Sequence, residues 1–228
     1  MSLYRLCKRP ISRCNGQPTT GAFAYRAGEK LEYDGNIYDY TWRQDIIYTE
    51  IILPESAPRE YVDRQTLWSA AEKAEDSSRR WKTARTAHEI IIALPRVLTF
   101  DTSIIMVKEL IDTCFIPLGM CADFAVHRGD KKYEIYNETD HKGVFPHNPH
   151  GHITLPTRYV EPNGFSNNKA REWDSWGNPA ILIQWRKEWQ DIQNRMFERK
   201  GINTRVSHEK QHIGHEHSEK QHNHDRDR

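Results

Sequence analysis

The chain has no apolar run long enough to cross a bilayer and no N-terminal segment of the secretory kind, so its residues predict a cytoplasmic protein without membrane attachment. It also lacks a charge excess of either sign. Thirty-three Lys and Arg against 32 Asp and Glu leave a formal net charge of +1, which argues against nonspecific coating of a polyanion. Cysteine is scarce: Cys7, Cys14, Cys114 and Cys121 form two pairs with six residues between members. That gap is too wide for an ordinary zinc knuckle, and in a reducing compartment the four read as free thiols.

What remains suits one domain with a sizeable core. The 228 residues thin out in apolar content from Ser207 onward, where His208, His212, His215, His217, His222 and His224 stand among Glu, Lys, Gln, Asp and Arg. Such a segment cannot bury enough apolar surface to offset the entropy of ordering. The reading is therefore a domain over 1–207 and a disordered, histidine-rich charged tail over 208–228, whose imidazoles bind metal ions weakly. Short apolar runs at Leu3–Leu6, Ile46–Leu53, Glu89–Leu94, Ala122–His127 and Ile153–Leu155 read as five strands. Tyr61–Arg85 lacks Gly and Pro and carries Leu67, Trp68, Ala71 and Ala74 along one face, which predicts a long amphipathic helix. Asp101–Phe115 and Ile181–Arg199 read as helices too, and their apolar stripes are core.

The chemistry concentrates at His150-Gly151-His152. In a strand, residues two apart share a face, so the two imidazoles point one way while Ile153 and Leu155 face the other. A neighbouring strand, Cys121–His127, ends on a third imidazole, and three neutral imidazoles leave open positions on a divalent ion where substrate oxygens are polarised. His141 and His147 are rival ligands, and paired histidines also occur as satisfied hydrogen-bonding residues.

At the other end, Gly16–Lys30 reads as a loop turning into a helix that carries Tyr25. With His127 and the run Asn148–Arg158, this frame resembles the MobA/MobL-type DNA relaxases, the histidine-hydrophobe-histidine endonucleases that nick plasmid transfer origins. Three further stretches are similar to that family: Leu67–Glu72, His88–Pro95, and Trp189–Arg195 leading to Gly201–His208. The resemblance spans roughly residues 1 to 208, and the order of its motifs is more specific than any one of them. It implies that Tyr25 attacks a phosphodiester and stays joined to the new 5′ end, that His127, His150 and His152 hold Mn²⁺ or Mg²⁺, and that Glu89 is an acidic residue near the site. It also implies an α+β, sandwich-like fold with a central, mainly antiparallel five-stranded sheet and helices on its faces; strand and helix alternation alone would have suggested a parallel sheet. The implied partners are single-stranded or hairpin DNA of a transfer origin, accessory mobilisation proteins and a coupling protein. Gly151 departs from the motif, standing where a hydrophobic residue is called for.

The residues agree with that chemistry. A phenol is a poor nucleophile at neutral pH until a metal, a base or a nearby cation favours the phenolate. Of the ten tyrosines, several crowd the first fifty residues, and only the frame Ala22-Phe-Ala-Tyr25-Arg26 singles one out. Glu89, on an apolar strand, either orients an imidazole, accepts near the phenol, or ends the strand in water. Arg5, Lys8, Arg9, Arg13, Arg26 and Lys30 face a single acid, Glu29, in the first thirty residues, and this arm suits a phosphate backbone, as does Arg158. Arg79-Arg80-Trp81-Lys82 with Arg85 reads either as a phosphate and base-stacking surface or as the solvated face of a helix. Trp173 and Trp176 either stack on bases or cap the core. Other enzymes of the superfamily, rolling-circle replication initiators and single-strand transposases, usually carry the tyrosine after the histidines, whereas Tyr25 comes before them. The chain shows no helicase or primase region of the kind that accompanies larger relaxases, which leaves a non-cutting, origin-binding autorepressor as a further reading.

Overall fold

The computed structural model describes residues 4–15, 18–129, 148–173 and 179–209. His141, His147, Trp176 and residues 210–228 lie outside them.

Five strands form one open, wholly antiparallel sheet: β1 (Leu6–Ser12), β4 (Ile46–Ile52), β5 (Arg85–Ala93), β6 (Ala122–His127) and β7 (His150–Pro156). Their spatial order is β1-β5-β7-β6-β4, so the strand bearing His150 and His152 is central. Helices α1 (Thr19–Ala27) and α2 (Arg64–Ala74) pack on one face, and α3 (Phe100–Cys114) and α4 (Pro179–Arg199) on the other. Among the described residues, two small hairpins stand outside this sheet, β2 (Lys30–Tyr33) with β3 (Asn36–Asp39), and β8 (Arg158–Glu161) with β9 (Gly164–Lys169). The expected α+β architecture is thus present.

Alternation along the central strands sorts the two faces. Phe124, Val126, Ile153, Leu155, Ile90 and Ile92 point toward α3 and α4, where Val107, Leu110, Trp185, Trp189 and Phe197 bury them. Asp123, Ala125, His127, His150, His152 and Glu89 take the opposite face, toward α1. There the Phe23 ring lies flat on Trp68 at 3.6 Å, joining α1 to α2. The buried Asp123 carboxylate accepts from Trp68 Nε1 at 2.8 Å and from Arg64 at 2.7 and 2.9 Å, anchoring α2 to β6. Removing one partner of such a buried pair costs about 3–5 kcal/mol.

Helix α1 is fixed at both ends. Its first amide, Thr19 N, donates to the buried Glu72 carboxylate at 2.5 Å, which satisfies an amide the helix itself cannot. Gly28 closes its C-terminus at φ +66, and a Cβ there would lie 2.5 Å from Ile46 Cδ1, so no other residue fits unaided.

Two expectations change and one open choice is decided. The helix foreseen over Tyr61–Arg85 is confined to Arg64–Ala74, because Asp63 caps its start through Thr66 N and the chain beyond Glu75 breaks into turns and a 3-10 turn at Trp81–Thr83. The first strand is Leu6–Ser12 rather than Leu3–Leu6; as an edge strand it tolerates Lys8, Arg9 and Pro10. Trp173 is a core residue, edge-on to Trp185. The cysteines are free thiols, as expected.

Candidate metal and nucleophile site

Register brings the histidines together. His127 is directly opposite His150 across β6 and β7, and His152 lies two residues further along the same face. The three ring centroids are 4.7–5.2 Å apart, and one ligand atom from each ring lies within 4.8 Å of the others.

One nitrogen of each ring already has an oxygen partner. His127 Nε2 donates to the Arg26 carbonyl at 2.7 Å, His150 Nδ1 to the Asn148 carbonyl at 2.8 Å, and His152 Nδ1 to Glu89 Oε1 at 2.6 Å. Carbonyls and an ionised carboxylate only accept, so in each case that nitrogen supplies the proton, and on a neutral ring the other nitrogen is the one with a lone pair. Oxygen partners of this kind fix tautomer and orientation around a bound cation. Electrostatics favour the same state. Burial, with the neighbouring His152 ring, pushes His127 down to about 3, and burial likewise lowers His150. The donor set therefore fits a divalent ion.

Glu89 sits beneath this cluster, 5% exposed. Burial alone would raise its carboxyl, but hydrogen bonds from His152 and Arg26 overturn that and hold it at about 2. Arg26 also donates to the Ala22 carbonyl at 2.6 Å, so its guanidinium locks Glu89 while its backbone oxygen locks His127.

Tyr25 is the preceding residue of α1, and it turns outward, 45% exposed. It lines a cleft of about 230 Å³ with Arg9, Pro10, Ser12, Arg26 and Glu89. Its ring is held from two sides. Tyr40 meets it edge-on at 5.2 Å, and the Arg43 guanidinium lies 4.0 Å from its centroid while donating to the Tyr25 carbonyl at 2.6 Å. Arg43 in turn grips Asp45 through two nitrogens, at 3.0 and 2.5 Å. Sequence reasoning missed Arg43 and Asp45, since their roles arise from a loop that only the fold brings beside α1.

The other foreseen residues divide. Arg5, just before β1, and Arg9, within it, are exposed, and Arg9 lines the Tyr25 cleft. Lys8 is turned to the far face, 6.0 Å from the Trp185 ring. Arg13 is engaged by Glu72 at 2.8 Å and Asp76 at 2.9 Å. Arg158 is buried, held by Glu75 at 2.7 Å and by the Ser166 carbonyl at 3.1 Å. Arg26 points inward to Glu89 rather than along an open surface.

Gly151 is explained by packing. It lies opposite Ile92 on the core face, and a Cβ there would stand 3.0 Å from Ile92 Cγ1. The space of the motif's hydrophobic residue is filled from the neighbouring strand.

Fold and site together define an α+β protein whose open antiparallel sheet presents three clustered imidazoles beneath a tyrosine-bearing helix. The chain matches the MobA/MobL family over residues 17–224 and belongs to it. It is 31% identical over 225 residues to mobilization protein MobL of Acidithiobacillus ferridurans, covering 91% of this chain and 58% of that protein. To a probable mobilization protein MobA of Bifidobacterium longum it is 30% identical over 175 residues, covering 75% of this chain and 28% of that protein. To the conjugal transfer protein TraA of Agrobacterium fabrum it is 29% identical, with 75% and 15% covered. The chain thus spans less than two thirds of the length of each of these relatives. A solved structure reported as "Molecular Basis of Vancomycin Resistance Transfer in Staphylococcus aureus" is similar with a TM-score of 0.75 and 27% identity, over 91% of this chain and 99% of that one. Among the described residues, no helix is long and apolar enough to cross a membrane.

Proposed function

We propose that the chain is a DNA relaxase that nicks one strand at a plasmid transfer origin by tyrosine transesterification. Family membership and the mobilisation and conjugal-transfer names of the relatives support the setting. The observation that carries the chemistry is the convergence of three imidazoles, each with its second nitrogen engaged, under the helix that carries Tyr25.

His127, His150 and His152 would hold the cation, Mn²⁺ or Mg²⁺, which when bound supplies positive charge to the non-bridging oxygens of the scissile phosphate. Tyr25 Oη forms a bond to phosphorus as the bond from phosphorus to the 3′ oxygen breaks. The phenolic proton leaves to solvent, and the departing 3′ oxygen takes one up as a hydroxyl. One phosphoester replaces another, so the step runs backward to reseal the strand. Glu89 acts as a positioning residue for His152 rather than as a base, because a carboxyl held at about 2 accepts protons poorly. Arg43 and Tyr40 restrict the Tyr25 ring, lowering the entropy lost at attack. The partners in this proposal are single-stranded or hairpin origin DNA, accessory mobilisation proteins and a coupling protein; residues 1–207 form the nicking unit and 208–228 a dispensable tail.

The test is a covalent adduct on end-labelled single-stranded oligonucleotides carrying candidate origin hairpins, with Mn²⁺ or Mg²⁺. Tyr25→Phe should abolish the adduct while leaving oligonucleotide affinity within a few-fold. Equal adduct formation by the variant would assign the nucleophile elsewhere.

A further inference from the structure

A second polar cleft, of about 610 Å³, opens at the end of the sheet remote from the imidazoles, between the turns after α2 and the β8–β9 hairpin. Arg79, Arg80, Arg85, Lys169 and Arg171 line it, and an adjoining hollow of about 470 Å³ shares Lys169 and Arg171 and adds Asn167 and Asn168. Among the described residues, no acid lines either hollow. The Glu75 carboxylate is buried behind them, neutralised by Arg158 and Lys169 at 2.7 Å each. Arg79, Arg80 and Arg171 are exposed and make no ion pair with described residues. In a chain whose net charge is only +1, this is a local concentration of exposed guanidinium groups.

We propose that this cleft grips the phosphodiester backbone of paired DNA flanking the cut strand. The inference rests on the proposed DNA substrate but concerns a separate surface. Guanidinium forks match phosphate geometry, and asparagine amides suit sugar and phosphate oxygens. Single strands are normally held by stacking on aromatic rings, and apart from the His88 imidazole no described ring lines the cleft; Trp81 opens instead onto the neighbouring hollow with Tyr33 and Tyr38. A surface of cations without stacking platforms fits a duplex, whose bases are already stacked. Distance sets the register. Arg85 is six positions along β5 from Ile91, the residue opposite His152, which is about 20 Å at roughly 3.4 Å per residue. At 3.4 Å per phosphate of one duplex strand, the gripped segment lies about six phosphates from the scissile one.

The experiment measures binding by the full chain in EDTA, using fluorescence anisotropy with a single strand extended by duplex flanks of graded length. The combined Arg79→Gln, Arg80→Gln, Arg171→Gln variant should bind the flanked substrate at least tenfold more weakly at 0.15 M salt. Its log-log salt slope should flatten by about two to three, at roughly 0.9 per phosphate contact. The wild type and the variant should bind alike once the flank is shorter than about six pairs. Independently, neutral methylphosphonate linkages should weaken wild-type binding when placed about six phosphates from the nick and not when placed several pairs beyond. Equal affinity and slope for variant and wild type on the flanked substrate, or the same loss on substrate without a flank, would overturn the proposal. Flank-dependent binding without any tyrosine adduct would leave the cleft standing and remove the nicking function; an adduct with flank-independent binding would do the reverse.

Discussion

Replacing Glu89 with Gln keeps the shape of the side chain and removes its charge, which isolates what the carboxylate does for the site. The native carboxyl is lowered from 4.5 to about 2 despite burial, through His152 and Arg26. A displacement of that size corresponds to about 3 kcal/mol of folding stability, at roughly 1.4 kcal/mol per unit. Because the folded value is depressed, this contribution is fully present above about pH 4.5 and is lost as pH falls toward 2. His127, lowered to about 3, also makes stability fall with pH, since the unfolded ring takes up a proton below about pH 6.5 that the folded ring refuses. Burial, the main cause of that second dependence, is common to wild type and variant, so the difference between their urea-denaturation profiles reports Glu89 together with the imidazole it holds. The variant should be less stable at pH 7, and the gap should narrow below pH 4.5. Without the anion behind His152, Mn²⁺ affinity at pH 7 should fall by about 10- to 100-fold in calorimetric titration. Parallel stability profiles down to pH 3, together with unchanged Mn²⁺ affinity, would refute the coupling of Glu89 to the imidazoles.

Gly151→Val should destabilise the chain by about 1–3 kcal/mol by crowding Ile92, and Ile92→Ala by about 2–4 kcal/mol by opening a cavity. Combined, the two should lose at least 1 kcal/mol less than their sum in chemical denaturation; simple additivity would mean the pair does not share one space. Arg13→Ala strands the fully buried Glu72 carboxylate and should cost about 3 kcal/mol, read as a lowered urea midpoint; a loss below 0.5 kcal/mol would return Arg13 to the open cationic arm. His150→Ala and His152→Ala should each weaken metal-dependent adduct formation, and normal activity in both would discredit the imidazole cluster.

Much of the fold was legible because period and chemistry agreed. The alternation around His150 and His152 correctly put both imidazoles on one face, and the run ending at His127 correctly supplied the strand beside them. Helix α2 was overextended because the residues after Ala74 are charged and free of Gly and Pro, which is equally good composition for an exposed turn. Strand β1 was misplaced because Lys8, Arg9 and Pro10 interrupt the apolar run, although an edge strand needs neither an apolar pattern nor every backbone donor.

The site was harder to read where one residue serves through its backbone. Cations near the amino end were grouped as a phosphate-following arm, since sequence shows charge but not what the charge faces. Folding spends Arg13 on Glu72 and Arg26 on Glu89, and it uses the Arg26 carbonyl, invisible to any motif, to orient His127. Consecutive residues of α1 thereby do two things: Tyr25 presents its ring to the cleft, and Arg26 ties that same turn to two of the three imidazoles. A shift of α1 must then move the phenol and the cation site together. The spacing between tyrosine and imidazoles is set by one helical turn rather than by the long chain separating them in sequence, and Arg26→Ala should loosen both at once, lowering Mn²⁺ affinity as well as adduct yield. Loss of adduct with undiminished Mn²⁺ affinity would show that the turn is not the link.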